Sequence, residues 1–330
     1  MEIAYPRAVP LALVPTPIER LERASRALPV RVWVKRDDLT GCALSGNKVR
    51  KLEFLLAEAL GGGADAVVTC GGLQSNHARA TAIACARLGL RCRLLLRGSP
   101  DAPLEGNYLL DRFVGAEVRF LSMEEWRGLD ALFEEECGRI RAAGGRPYLV
   151  PEGGSNALGS LGYARAVEEI ARWSKETGVV FHSIVHATGS GGTTAGILLG
   201  CAAIGYSAEP VGVAVCDDEA FFRNRVDAIF EEARTRFAPR ASRRSYAIAE
   251  GYKGRGYGMT SPEELEDLRR VAREEGLILD PVYTGKAFRG LLGEVRGGRF
   301  PAGSDVLFLH TGGIFGLLAM GRKVAGSPKA

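Results

Sequence analysis

Lys48 lies in the run Ser45-Gly46-Asn47-Lys48-Val49-Arg50-Lys51-Leu52-Glu53, where small residues give way to an apolar helix. An amine at the buried mouth of a helix loses its water, its pKa falls, and the neutral form can attack a carbonyl to make a Schiff base. A lone lysine establishes little, but two further segments carry compatible chemistry. Gly189-Ser190-Gly191-Gly192-Thr193-Thr194-Ala195-Gly196 is a glycine-rich turn between an apolar stretch and a helix. Such a turn offers backbone N–H groups and the positive end of a helix dipole to an anion. It lacks the Gly-Lys-Ser/Thr ending of a nucleotide P-loop and the spacing of a dinucleotide fingerprint, so a small phosphate ester suits it better than ATP or NAD. A tight turn with no ligand is the alternative. Gly71-Gly72-Leu73-Gln74-Ser75-Asn76-His77 is a polar turn in the same setting. Ser75 or Asn76 suits the N-cap of the helix that follows, and taken alone that role suffices; the loop also offers amides and a hydroxyl to a carboxylate.

The elements that must position these residues alternate between strand and helix. Strands are expected over 32–35, 66–70, 91–96, 117–121, 148–150, 183–187, 210–215 and 305–310. Helices are expected over 48–60, 75–88, 107–113, 123–143, 162–175, 193–204, 219–237 and 285–295, with another starting at Ser261-Pro262-Glu263-Glu264, where proline and acids suit a first turn. This grammar implies an α/β protein with mostly parallel sheets covered on both faces. No short repeat or low-complexity linker interrupts it; only residues 326–330 read as a frayed tail.

The 330 residues suffice for two domains or one large one, and 46% hydrophobic with 25% charged residues is ordinary for a soluble globular protein. A net charge of +4, with arginines scattered among glutamates, gives no case for nucleic-acid binding. Seven cysteines, odd in number, include no C-x-x-C pair and sit largely in apolar runs. They argue for a reducing compartment. The proline-broken run Val9 to Val14 is no signal peptide, and no stretch approaches the roughly 20 apolar residues of a membrane span. A soluble, cytoplasmic protein is expected. His182 and His186 are four apart on a strand, hence about 13 Å from each other, so no metal site is expected. Asp37-Asp38, as adjacent strand residues facing opposite ways, read as partners of nearby arginines.

A Schiff-base lysine, a phosphate cradle and a polar strand-end loop together point to pyridoxal 5′-phosphate. At that point the chain resembles the D-cysteine desulfhydrase and 1-aminocyclopropane-1-carboxylate deaminase family, within the tryptophan-synthase-β-like, fold-type II pyridoxal phosphate enzymes. The likeness runs from Pro15-Thr16-Pro17-Ile18 to Thr311-Gly312-Gly313. It includes Lys35-Arg36-Asp37-Asp38-Leu39-Thr40, Gly46 to Glu53, Gln74-Ser75-Asn76-His77, Gly189 to Gly196, Gly256-Tyr257-Gly258 and Val282-Tyr283-Thr284-Gly285-Lys286. Each motif alone is modest; in this order they are specific.

The resemblance implies a two-domain fold with the cofactor between the domains: a large domain of residues 1–51 and 161–330, and a small inserted one of residues 52–160. Lys48 would carry the cofactor and move the Cα proton. Asn76 would meet the phenolic oxygen, and Gly189, Ser190, Gly191, Gly192 and Thr193 would hold the phosphate. Ser75 and the adjacent amides, through Asn76 and His77, would take the substrate carboxylate, with Ser75 assisting proton transfer. Tyr257 and Tyr283 would flank the substrate, although either also reads as a core aromatic. Thr284 and Thr311 stand where the ring-opening deaminases carry glutamate and leucine, which favours the desulfhydrase branch: a neutral hydroxyl near the pyridine nitrogen suffices when the β-substituent leaves readily.

The implied reaction is β-elimination from a cysteine-like amino acid, with D-cysteine giving pyruvate, ammonia and hydrogen sulfide, in a homodimer. Lys253 and Arg255, in Tyr252-Lys253-Gly254-Arg255-Gly256, depart from the family's usual segment. They leave open an anionic substrate such as L-cysteate, or are exposed loop charges. Cyclopropane deamination is a further alternative, as is a non-catalytic phosphate-ligand-binding α/β protein.

Overall fold

The computed structural model describes residues 3–256 and 258–321. In chain order the elements are β1 (Ile18–Arg20), α1 (Glu22–Arg26), β2 (Arg31–Lys35), α2 (Asn47–Gly61), β3 (Ala66–Gly72), α3 (Asn76–Leu88), β4 (Arg91–Arg97), α4 (Gly106–Phe113), β5 (Glu117–Leu121), α5 (Met123–Arg127), α6 (Leu129–Ala142) and β6 (Pro147–Leu149). There follow α7 (Ala157–Thr177), β7 (Phe181–Thr188), α8 (Gly192–Ile204), β8 (Glu209–Ala214), α9 (Glu219–Phe237), β9 (Ala247–Ala249), α10 (Pro262–Glu275), α11 (Thr284–Arg296), β10 (Asp305–Leu309) and α12 (Ile314–Leu318).

Among these residues the strands form two sheets. The larger has the order β1-β2-β10-β7-β8-β9 and the smaller β5-β4-β3-β6. Every pairing is parallel except β1 with β2. Central strands such as β7 and β10 are buried along almost their whole length, as parallel strands covered on both faces must be. No helix among the described residues is long and apolar enough to cross a membrane.

Four local features depart from the sequence reading. The segment 123–143 is not one helix: Gly128 separates α5 from α6, and Ser122 with Glu125 closes a capping box at the start of α5. Helix α7 begins at Ala157 rather than 162, capped by the Asn156 side chain on the Gly159 N–H. Gly162 suggested a helix start, yet it sits inside α7 for packing, since a Cβ there would collide with the Arg50 backbone of α2. Asp37 and Asp38 lie in a short 3-10 turn past β2, not on a strand, and pair respectively with Arg50 at 2.8 Å and Arg36 at 2.7 Å. Short elements β1, α1, β9 and α12 carry too few residues to show a period.

Candidate active site

A cleft enclosing about 680 Å³, part of it open to solvent, lies where the C-terminal ends of β3 and β7 approach the start of α2. Ligands of α/β folds bind at such strand ends. Lys48, Ser75, Asn76 and His77 line it from one side. Gly189, Ser190, Gly191 and Thr193 line it from another, joined by Tyr283 and Thr311. Gly192 and Thr284 are not in the wall, and Tyr257 lies outside the described residues.

Lys48 is the second residue of α2. The turn before it is set by Gly46, at φ 89°, whose N–H donates to the Thr40 hydroxyl at 2.8 Å. A Cβ on Gly46 would come within 2.8 Å of the Thr311 carbonyl, and the Asn47 N–H donates to that same oxygen at 3.1 Å. Burial pushes the Lys48 amine down to about 8, against a smaller opposing pull from Glu152. Among the described residues its amine has no hydrogen-bonded partner.

Lys51, one turn on, is buried and donates to the Gly153 carbonyl and to Ser155 Oγ. Burial first, then the Lys48 charge, hold its pKa well below the usual lysine range. Ser155 Oγ in turn lies 2.8 Å from Ser190 Oγ. A buried lysine with no carboxylate partner among the described residues thus stands directly behind the glycine loop, where a bound anion would favour its charged form. At the loop itself Gly191 adopts φ 81° as the N-cap of α8, and a Cβ on Gly192 would stand 2.5 Å from Ser155 Oγ. Asn47 Nδ2 donates to Thr193 Oγ1 at 3.3 Å, tying the lysine helix to the loop.

Ser75 caps α3, its oxygen accepting from the Ala78 N–H at 3.2 Å. The tautomer of His77 follows from its partner. Thr69 Oγ1 donates its single proton to the Val150 carbonyl at 2.8 Å, so it can only accept from His77 Nε2, also at 2.8 Å. Nε2 therefore carries the proton, and the buried Nδ1 is a bare acceptor without a partner among the described residues. Burial, followed by the charges of Lys48 and Lys51, keeps the ring well below the usual histidine range, hence neutral.

Tyr283 stands over the glycine loop, its ring 3.1 Å from where a Gly189 Cβ would sit. Its loop is fixed by buried Asp280, whose carboxylate accepts from the N–H groups of Val282, Tyr283 and Thr284. Thr284 Oγ1 also donates to Asp280 Oδ1 at 2.7 Å and accepts from the Asp280 N–H. That engagement explains why Thr284 lies behind the wall. Lys253 and Arg255 are exposed and do not line the cleft. The sequence reading passed over Glu152, a wall residue whose carboxyl burial raises, along with Lys51, Ser155 and Asp280. Only Lys51, three residues from Lys48 on the same helical face, carried a usable signal.

The pattern that defines the family described as pyridoxal-phosphate dependent enzyme matches residues 9–312. The chain belongs to that family. It is 44% identical over 318 residues to a Thermotoga maritima protein provisionally named 1-aminocyclopropane-1-carboxylate deaminase, covering 96% of this chain and 99% of that one. It is 43% identical over 318 residues to the mitochondrial bifunctional D-cysteine desulfhydrase/1-aminocyclopropane-1-carboxylate deaminase of Arabidopsis thaliana, covering 93% and 78%. A crystal structure of an ACC deaminase homologue superposes with a TM-score of 0.89 at 42% identity, over 97% of this chain and 96% of that one. The fold is the tryptophan-synthase-β-like α/β fold of these pyridoxal-phosphate enzymes. The pocket fits the cofactor: a desolvated amine, a glycine cradle that side chains would fill, and a buried lysine without a carboxylate partner behind that cradle are what an aldehyde bearing a phosphate requires.

Proposed function

We propose that this pyridoxal-phosphate enzyme catalyses β-elimination from a cysteine-like amino acid, converting D-cysteine and water to pyruvate, ammonia and hydrogen sulfide. The observation that carries the reading is that Lys48, Ser75 and the loop from Gly189 to Thr193, far apart in sequence, share one pocket. Bound pyridoxal phosphate supplies an electron sink for negative charge at the substrate Cα. Lys48 would hold the cofactor and, once its amine is released by the incoming substrate, would take the Cα proton; burial, which draws the free amine down to about 8, leaves a useful fraction of it neutral for that task. The electron pair left at Cα forms the double bond to Cβ as the Cβ–S bond breaks, and the thiolate departs with the sulfur electrons.

Ser75 receives the Ala78 N–H on its oxygen, so its proton is available to a substrate carboxylate at the positive end of α3. The backbone N–H groups of Asn76 and His77, in the first turn of α3, complete that anion site. Gly189, Ser190, Gly191, Gly192 and Thr193 hold the phosphate at the start of α8, with Lys51 behind them. Tyr283 flanks the substrate; the same role for Tyr257 is implied by the family resemblance alone. Thr311 lines the pocket, and Thr284, where the ring-opening deaminases carry a glutamate, has its hydroxyl engaged by Asp280 behind the wall. Relatives named for cyclopropane deamination favour the ring-opening reaction as the second reading.

The deciding experiment is 2-oxo acid release from cofactor-loaded protein given D-cysteine, L-cysteine, L-cysteate or the cyclopropane amino acid, with Lys48→Ala in parallel. Turnover of D-cysteine that disappears in the variant is expected. Full lyase activity in Lys48→Ala would refute the reading, and turnover confined to the cyclopropane substrate would move it to deamination.

We also infer a homodimer and a cytoplasmic location, the latter supported by seven free cysteines. The division into residues 1–51 with 161–330, and 52–160, is supported by a small sheet drawn wholly from strands between Ala66 and Leu149. Sedimentation equilibrium and limited proteolysis check these assignments.

A further inference from the structure

Behind Asn76 a chain of buried polar groups runs back to Arg79. Arg79 is 1% exposed. It donates through Nη1 to the backbone carbonyls of Ala43 and Ser45, and through Nε to Asn107 Oδ1 at 3.1 Å. Its guanidinium also lies 5.1 Å from the Phe315 ring centroid. A guanidinium has donors only. Asn107, fully buried, must therefore turn its oxygen to Arg79, which sends its NH2 group the other way. That NH2 donates to the Gln74 backbone carbonyl and to Asn76 Oδ1, both at 3.0 Å. The Gln74 carbonyl is an acceptor that cannot reverse, so it dictates the same orientation independently. Gln74 is itself locked, accepting from the Asn107 N–H and donating to the Glu105 carbonyl. Asn76 consequently has its oxygen engaged. Its NH2 group has no partner among the described residues, on a side chain that lines the cofactor pocket.

We propose that Arg79 and Asn107 are positioning residues that fix the Asn76 amide as a hydrogen-bond donor toward the pocket, against the phenolic oxygen of pyridoxal phosphate. This rests on the reading that Asn76 meets that oxygen, and adds the polarity of the contact. A free asparagine can present either end of its amide. An N–H donor favours the ionised phenolic oxygen, whereas a carbonyl in the same place favours the protonated one. The polarity set at Arg79 is passed through Asn107 and leaves Asn76 one orientation.

Asn107→Asp tests this directly. A carboxylate suits Arg79 and adds an ion pair, but it has no donor for Asn76, which then turns its own NH2 inward. The absorbance of the bound cofactor is expected to move from the visible band of the ionised phenol to the near-ultraviolet band of the protonated one. Cofactor affinity, titrated on apoprotein, is expected to fall about tenfold. In an Asn76→Ala background the same substitution is expected to add no spectral change, because its effect runs through Asn76. Asn107→Ala removes the lock without reversing it. It provides the test if Asn107→Asp does not fold, with a smaller shift in the same direction and folding followed by circular dichroism.

Unchanged spectrum and affinity in Asn76→Ala would overturn the cofactor contact and the positioning role together. If Asn76→Ala alters both while folded Asn107→Asp and Asn107→Ala do not, the contact stands and the positioning role falls. A further spectral change on adding Asn107→Asp to Asn76→Ala would also overturn the role, since Asn107 would then act by another route.

Discussion

Arg50 holds Asp37 through two parallel hydrogen bonds, Nε to Oδ2 and Nη2 to Oδ1, each 2.8 Å long, with both side chains almost wholly excluded from water. Tyr163 donates to the same carboxylate at 2.7 Å, and Glu169 accepts from both Arg50 and Lys35. Arg50 is two residues past Lys48, so this cluster pins the first turn of α2. Breaking such a buried pair from one side leaves a charge without compensation.

Burial alone would raise the Asp37 carboxyl, but the Arg50 and Lys35 charges with the Arg50 and Tyr163 hydrogen bonds outweigh it and bring the pKa to about 2. A pKa depressed on folding stabilises the protein above the unfolded carboxylate value, near 4, and that contribution disappears as pH falls through about 2. We expect Asp37→Asn to cost about 3–5 kcal/mol at neutral pH. Its deficit should shrink by on the order of 2 kcal/mol between pH 5 and 2, read from urea midpoints. A deficit independent of pH would show that Asp37 is not ionised in the fold.

The neutral amine of Lys48 is the form that attacks an aldehyde, and its pKa is drawn down to about 8. The rate at which apoprotein takes up pyridoxal phosphate should therefore rise with pH and level off above about 8. An inflection at the ordinary lysine position in stopped-flow absorbance would contradict the desolvation argument.

A methyl group on Gly192 would press on Ser155, the residue that links Lys51 to Ser190. Gly192→Ala is expected to weaken cofactor binding at least about tenfold, or 1.4 kcal/mol, and, because the clash is already present without cofactor, to destabilise the apoprotein by about 1–3 kcal/mol. Equilibrium dialysis with pyridoxal phosphate measures the first quantity and calorimetry the second.

Removing the Thr69 hydroxyl orphans the proton on His77 Nε2. Thr69→Val should destabilise the protein by about 1–3 kcal/mol and release the ring to flip or change tautomer. An NMR nitrogen shift reporting Nδ1–H instead of Nε2–H in the variant would be the signature; an Nδ1–H ring in the unaltered protein would contradict the assignment.

Much of the architecture was legible because parallel strands are apolar runs and each covering helix has a stop. Helices α2, α3 and α9 fall close to where their patterns put them. Glycine misled twice, and for opposite reasons. At Gly162 it permits close helix contact and the helix continues; at Gly128, inside an apparently continuous period, it ends one helix before another begins. Lys48 and the two loops could be singled out because their residue types are unusual at strand ends. Asn107 and Asp280 could not. Their importance lies in the groups they face across the fold, and neither sits in a segment whose composition marks it.

Strand β10 is the latest of the described strands in the chain, yet it lies inside the large sheet between β2 and β7. The carbonyl that receives the Asn47 N–H belongs to Thr311, just beyond it. A nascent chain that has exposed Lys48 but still holds residues 305–311 within the ribosome has neither the middle of that sheet nor the anchor beneath its lysine. Cofactor capture is thereby coupled to the emergence of residues 305–311, and premature termination before residue 305 leaves a chain that cannot build the site.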